Sequence, residues 1–76
     1  MSSPTHYRQD LNNYAIQAGL TLTYKEASEG PQHSITWTVT AYIGGVEHGK
    51  GVSGSKGQAK EIASYNAMVA LGLIQI

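Results

Sequence analysis

The chain has no cysteine, so neither a disulfide nor a thiolate zinc site can staple its fold. A single domain of 76 residues buries only about 60% of its unfolded surface, and here a packed core must hold it alone. Charge is scarce and balanced: five Lys and Arg against five Asp and Glu leave a net charge of zero with His neutral. Domains that bind nucleic acid are usually basic, so the total by itself argues against that class. Long apolar runs are missing as well. The longest, Ala67 to Ile74, is broken by Gly72 and is too short to span a bilayer. The polar start Met1-Ser2-Ser3-Pro4-Thr5-His6 lacks the apolar stretch of a signal peptide, and no Asn-x-Ser/Thr sequon occurs. The expectation from these absences is an intracellular protein, cytoplasmic or nuclear, with no membrane partner.

Catalytic constellations are also missing. Asp10 is the single Asp, and it shares a helix face with His6 at i+4. Glu47 and His48 are strand neighbours that point to opposite sides. His6, His33 and His48 lie far apart without metal-ligand spacing. Two glycine motifs fail in context. Gly49-Lys50-Gly51-Val52-Ser53-Gly54 matches G-x-G-x-x-G, but a dinucleotide fold needs another parallel strand and an acid about 20 residues on. A glycine-rich turn is the better account. Gly44 to Lys50 matches most of a P-loop, but Gly51 replaces the required Ser or Thr and the stretch reads as a hairpin. No enzyme activity, cofactor, metal or small-molecule substrate is expected.

What is present is a clear order of elements. Ser3-Pro4 can cap and open a helix running to about Ala18, with Gly19 as its stop. Tyr7, Leu11, Tyr14, Ala15 and Ala18 form its apolar stripe, while Gln9, Asn12 and Asn13 lie opposite, polar and uncharged. A first strand is expected over Leu20 to Ala27 and a loop over Ser28-Glu29-Gly30-Pro31-Gln32-His33. From Ile35 to Ile43 apolar and polar residues alternate, the mark of a half-buried antiparallel strand. Ile35, Trp37, Val39, Ala41 and Ile43 take the core face, with Thr36, Thr38, Thr40 and Tyr42 on the other. Gly44-Gly45 supplies a two-residue hairpin turn, and a third strand follows from Val46 to about Ser53. Ser55 and Gln58 form a capping-box pattern that opens the last helix. Its buried stripe is Ala59, Ile62, Ala63, Asn66, Ala67 and Ala70, with Asn66 placed at an edge or bonded to backbone. The fold class is α+β: α-β-β-β-α, a three-stranded antiparallel sheet with two helices packed on one face, as a single domain over residues 1–76.

The charges are unevenly placed along this order. Residues 1–49 hold Arg8 and Lys25 against Asp10, Glu26, Glu29 and Glu47, whereas residues 50–76 hold Lys50, Lys56 and Lys60 against Glu61 alone. Lys56 and Lys60 stand at i and i+4, so both leave one face at the start of the last helix. That helix end also presents unpaired N–H groups and a positive dipole end. Together they make a compact anion site, for which nucleic-acid phosphates are the expected anions.

Gly30-Pro31-Gln32-His33, the aromatic Trp37 four residues after its His, and Ser55-Lys56-Gly57-Gln58-Ala59-Lys60 together resemble the double-stranded RNA-binding domain family. The resemblance covers residues from about 5 to 72 and includes the helix-strand-strand-strand-helix order. It implies three contact regions on duplex RNA. The first helix enters one minor groove, which places Gln9, Asn12 and Asn13 there. The G-P-x-H loop enters the next, through Pro31, Gln32 and His33. The lysines of the last helix bridge the major groove between them, so Lys56 and Lys60 meet phosphates, with Ser55 and Lys50 as further candidates. Amides both donate and accept, which suits ribose 2′-hydroxyls, and A-form RNA is read by shape over roughly 16 base pairs. Two positions depart from the family: Gly57 stands where a second consecutive lysine is usual, and Asn13 where many members carry Glu.

The alternative on the same fold is a protein-interaction or homodimerisation module. Neutral charge, Gly57 and the apolar end Leu71-Gly72-Leu73-Ile74-Gln75-Ile76 motivate it. A single-strand reader with stacking aromatics fits poorly, since Thr36, Thr38 and Thr40 occupy the outer strand face.

Overall fold

Residues of the last strand and last helix decide the architecture, because glycine on one and alanine on the other let two backbones touch. The computed structural model of the chain describes residues 6–74. Its elements are α1 (Tyr7–Ala18), β1 (Leu22–Glu29), a 3-10 turn (Gln32–Ser34), β2 (Thr36–Ile43), β3 (Val46–Ser53) and α2 (Lys56–Ala70). The strands form one antiparallel sheet in the order β1-β2-β3. The expected α-β-β-β-α order is the observed one.

Gly49 and Gly51 of β3 are buried against α2. A Cβ on Gly49 would overlap Ala63 O and Ala67 N; one on Gly51 would overlap Ala59 O and Ala63 N. The alanine stripe of α2 therefore rests on bare strand backbone. Ala59, Ala63 and Ala67 join Leu11, Ala15, Val39, Ala41, Ile43 and Met68 in the buried core. This packing accounts for the G-x-G-x-x-G stretch better than a turn does, since its first two glycines lie within a strand. Gly54 alone separates β3 from Ser55, the N-cap of α2.

The remaining boundaries have local causes. Gly19 ends α1 in the left-handed region at φ 71°. Gly44 and Gly45, at φ 61° and 81°, make the tight hairpin turn that the strand twist favours. Near that turn the register slips: Ala41 pairs with Gly49 but Tyr42 with Glu47, so His48 is the extra residue of a bulge. Its Nδ1 lies 2.8 Å from Val46 O.

Several expectations are adjusted. The helix opens at Tyr7 with His6 as N-cap, and Ser3-Pro4 lie outside the described residues. The first strand is Leu22–Glu29, not Leu20 to Ala27, because the β1–β2 pairing continues through Ser28 with Trp37 and Glu29 with Thr36. The second begins at Thr36 and leaves Ile35 in the connection. Ala18 and Ala70 are exposed at the helix ends, whereas Ser64 is fully buried. Asn66 is exposed and its Nδ2 donates to Lys50 O at 2.7 Å, one of the two placements expected for it. Thr40 is buried although it faces away from the helices, between its cross-strand neighbours Lys25 and Lys50. Leu71 and Ile74 pack against this chain's own core. No helix among the described residues is long and apolar enough to cross a membrane.

The backbone contact predicts a contrast between glycines. Gly51→Ala should lower unfolding stability by about 3 kcal/mol, out of about 4–11 kcal/mol expected for a domain of this size. Gly57→Ala meets only Ser55 Oγ, at 3.9 Å, and should leave stability unchanged or raise it by up to about 1 kcal/mol. Denaturant unfolding of the two variants measures both.

Candidate nucleic-acid interface

The start of α2 is fixed by three polar side chains. Ser55 Oγ accepts from Gln58 N at 3.4 Å, as a capping box requires. The return half runs through a third residue: Ser55 N donates to Ser53 Oγ at 3.3 Å, and Ser53 Oγ donates to Gln58 Oε1 at 3.2 Å. No acid occupies the first turn, so Lys56 adds its charge to the positive end of the helix.

The compensating anion comes from β1. Glu26 Oε2 lies 2.8 Å from Lys60 Nζ, and Glu26 Oε1 lies 3.8 Å from Lys56 Nζ. Two aromatic rings support the same ammonium groups. Lys60 Nζ sits 5.1 Å from the Tyr24 ring centroid and Lys56 Nζ 5.2 Å from that of Trp37, both within cation–π range. Tyr24 and Glu26 share a strand face because they are two residues apart. Tyr24 is anchored in turn: its hydroxyl donates to Ser64 Oγ at 2.7 Å, since the Ser64 proton goes to Lys60 O at 2.8 Å. Burial pushes the Tyr24 phenol up despite the nearby cations Lys60 and Arg8.

The helix α1 is held against α2 by one carboxylate. Glu61 Oε1 accepts from Tyr7 N at 3.0 Å and Arg8 N at 3.3 Å, while Oε2 accepts from Arg8 Nε at 2.8 Å. A side chain of α2 thus supplies the N-terminal cap of α1, where His6 supplies none. Tyr7 and Tyr65 meet edge to face, centroids 5.0 Å apart. The result is a shallow groove of about 460 Å³ in which Gln9, Asn12 and Arg8 line one side and Tyr24 and Lys60 the other. Asn13 is exposed on the neighbouring turn position of α1.

The loop is a closed turn. Gly30 has φ 99°, and Ser34 N donates to Pro31 O at 2.9 Å. Pro31, Gln32 and His33 are all exposed. Cross-strand pairs of Trp37 with Ser28 and with Ser53 put this loop and the start of α2 at one end of the sheet.

The structure therefore brings Gln9, Asn12, Lys60 and Lys56 onto one continuous surface and leaves the loop at its Lys56 end. Lys50 is not part of it. It alternates with Gly49 and Gly51, which face α2, and it pairs with Thr40, so its side chain is on the opposite sheet face. The run of three lysines divides two and one. Glu26, Tyr24 and Trp37 carry the lysine pair, and Trp37 is half-buried beneath Lys56 where a purely core residue was expected. Period-two alternation put Tyr24 and Glu26 on one face, but nothing local pairs that face with residues 30 or more positions later. Ile16, 67% exposed, extends the Asn12–Asn13 face by one turn; its only sequence signal is spacing at i+4 and i+3 from those amides.

The Glu26 carboxyl is held below its ordinary value of 4.5, chiefly by the hydrogen bond from Lys60, with the charges of Lys60 and Lys56 adding to it against partial desolvation. A lowered folded value means that the ion pair contributes in full above 4.5 and is lost as pH falls through the folded value. Thermal unfolding across an acid titration should show a constant gap between the parent chain and Glu26→Gln above 4.5 that closes below it.

The chain matches the family model of the double-stranded RNA binding motif over residues 7–71. It is also 33% identical over 72 residues to Ribonuclease 3 of Nocardia farcinica (strain IFM 10152), an alignment that takes in 93% of this chain and 30% of that relative. The chain thus spans less than a third of the length of the relative it matches. The family match begins at the first residue of α1, ends one residue past α2, and falls on the α-β-β-β-α order described above; the chain belongs to the double-stranded RNA binding motif family.

Proposed function

We propose that this chain binds double-stranded RNA by the shape of its A-form helix, with little dependence on sequence. The observation that carries the reading is the joining of Lys56 and Lys60 to the groove lined by Gln9 and Asn12. A-form RNA offers a wide, shallow minor groove rich in 2′-hydroxyls beside a phosphate-walled major groove. Amides on α1 suit the first, and two ammonium groups on a helix N-terminus suit the second. Pro31, Gln32 and His33 then reach the next minor groove, and Ser55 adds a hydroxyl beside the phosphate lysines. Lys50, on the far sheet face, contributes no phosphate contact in this reading.

The chain is read as a binding module and not as an enzyme. Its likeness to Ribonuclease 3 is confined to 30% of that protein. Neutral net charge and Gly57 place its affinity below that of more basic members. Leu71 and Ile74 pack on the chain's own core, which takes them out of a tail that could dock a partner or a second copy, although Leu73 between them is exposed.

Titration against duplex RNA, duplex DNA and single-stranded RNA tests the proposal, with preference for duplex RNA expected; equal affinity for the two duplexes would overturn it. Lys56→Ala combined with Lys60→Ala should weaken duplex binding by at least about tenfold and lower the log–log salt slope by about 1.8, from roughly 0.9 per phosphate on the B-DNA scale. Gly57→Lys enters open space beside Ser55 and should tighten binding, raising the slope by about 0.9.

A further inference from the structure

We infer that the Glu26 carboxylate stands where an RNA phosphate binds, so that Glu26 is an internal competitor for Lys56 and Lys60 and sets the affinity of the site. The inference rests on the RNA reading above and adds a residue to it. A carboxylate has two anionic oxygens a little over two ångströms apart, and here each faces a different ammonium group: Oε2 toward Lys60 at 2.8 Å and Oε1 toward Lys56 at 3.8 Å. The two non-bridging oxygens of a phosphodiester can make the same pair of contacts. The lysine pair is thus already neutralised by half before any ligand arrives.

Exposure shows how exchange proceeds. The side chain of Lys56 is 51% exposed on its long, loose leg, against 23% for Lys60 on its short one, and Glu26 itself is 31% exposed. An incoming phosphate meets Lys56 first and replaces the carboxylate at Lys60 second. The Tyr24 and Trp37 rings lie under the ammonium groups independently of Glu26, so they can support the lysines when Glu26 swings away. Every polyanion that uses the two lysines must displace the same carboxylate and then sit beside its charge. Glu26 therefore weakens all such ligands by a common factor. A duplex that also engages α1 and the Pro31–His33 loop still binds, whereas a ligand offering phosphates or sulfates alone is held below useful occupancy.

The test compares Glu26→Gln with Glu47→Gln. Each removes one negative charge, but Glu47 pairs with Tyr42 near the hairpin, away from the lysines. Both variants and the parent chain are titrated with duplex RNA and with heparin, a polyanion without grooves, after thermal unfolding confirms that each is folded. Glu26→Gln should tighten both ligands by a similar factor, roughly two- to fivefold given the usual strength of an exposed ion pair. Glu47→Gln should change neither. Unchanged or weaker binding by Glu26→Gln overturns the inference, and so does an equal gain in Glu47→Gln, which would make the effect one of net charge. If Glu26→Gln gains on heparin while no form binds duplex RNA, the competitor role stands and the RNA reading falls.

Discussion

Everything on the proposed binding face depends on how closely α2 can approach β3. Two strand glycines and three helix alanines remove the bulky side chains that would hold the elements apart, and backbone meets backbone at Gly49 and Gly51. That approach sets the height of α2 above the sheet. At this height Ser64 reaches the Tyr24 hydroxyl, Lys60 lies over the Tyr24 ring, and Glu26 bridges the two lysines. A helix lifted by one methyl group would break these contacts together. The site is precise because its scaffold leaves no room for adjustment.

The electrostatics follow the same geometry. A net charge of zero is compatible with the proposed anion-binding face because two of the acids near it, Glu26 and Glu61, are engaged in specific contacts. Glu61 caps α1 and holds Arg8; Glu26 bridges Lys60 and Lys56. One carboxylate thereby joins the two helices, and the other joins α2 to the sheet edge. Both carboxylates contribute order as well as charge. The groove between Gln9, Asn12 and Lys60 exists because Glu61 fixes the first turn of α1 beside the first turns of α2.

Local chemistry made much of this legible in the amino-acid order. Gly19, Gly44-Gly45 and Ser55 mark their boundaries because each meets a backbone demand that few residues satisfy. Alternation in β2 exposed its core face, and the lysine spacing put two cations on one side of α2. The unread features are all contacts between distant segments. Glu26 finds Lys60, and Glu61 finds Tyr7 and Arg8, across 53 or 54 positions in the latter case. The third strand is legible from Val46 to Ser53, but Gly49 and Gly51 give no sign of the helix they pack against, because glycine has no side chain to alternate. The two-residue shift of β1 and the bulge at His48 are products of pairing, which no single segment encodes. Lys50 was grouped with Lys56 and Lys60 by proximity in sequence, and strand alternation puts it on the other face.

The division of the molecule into two faces offers the most direct check. Backbone and side-chain amide resonances of the labelled chain, followed during titration with a duplex RNA, report which face the ligand covers. The account predicts shifts at Gln9, Asn12 and Asn13, at Gln32 and His33, and at Lys56 and Lys60, moving together, with Lys25, Thr40 and Lys50 silent. Shifts centred on Lys25, Thr40 and Lys50, with the helix face silent, would contradict it.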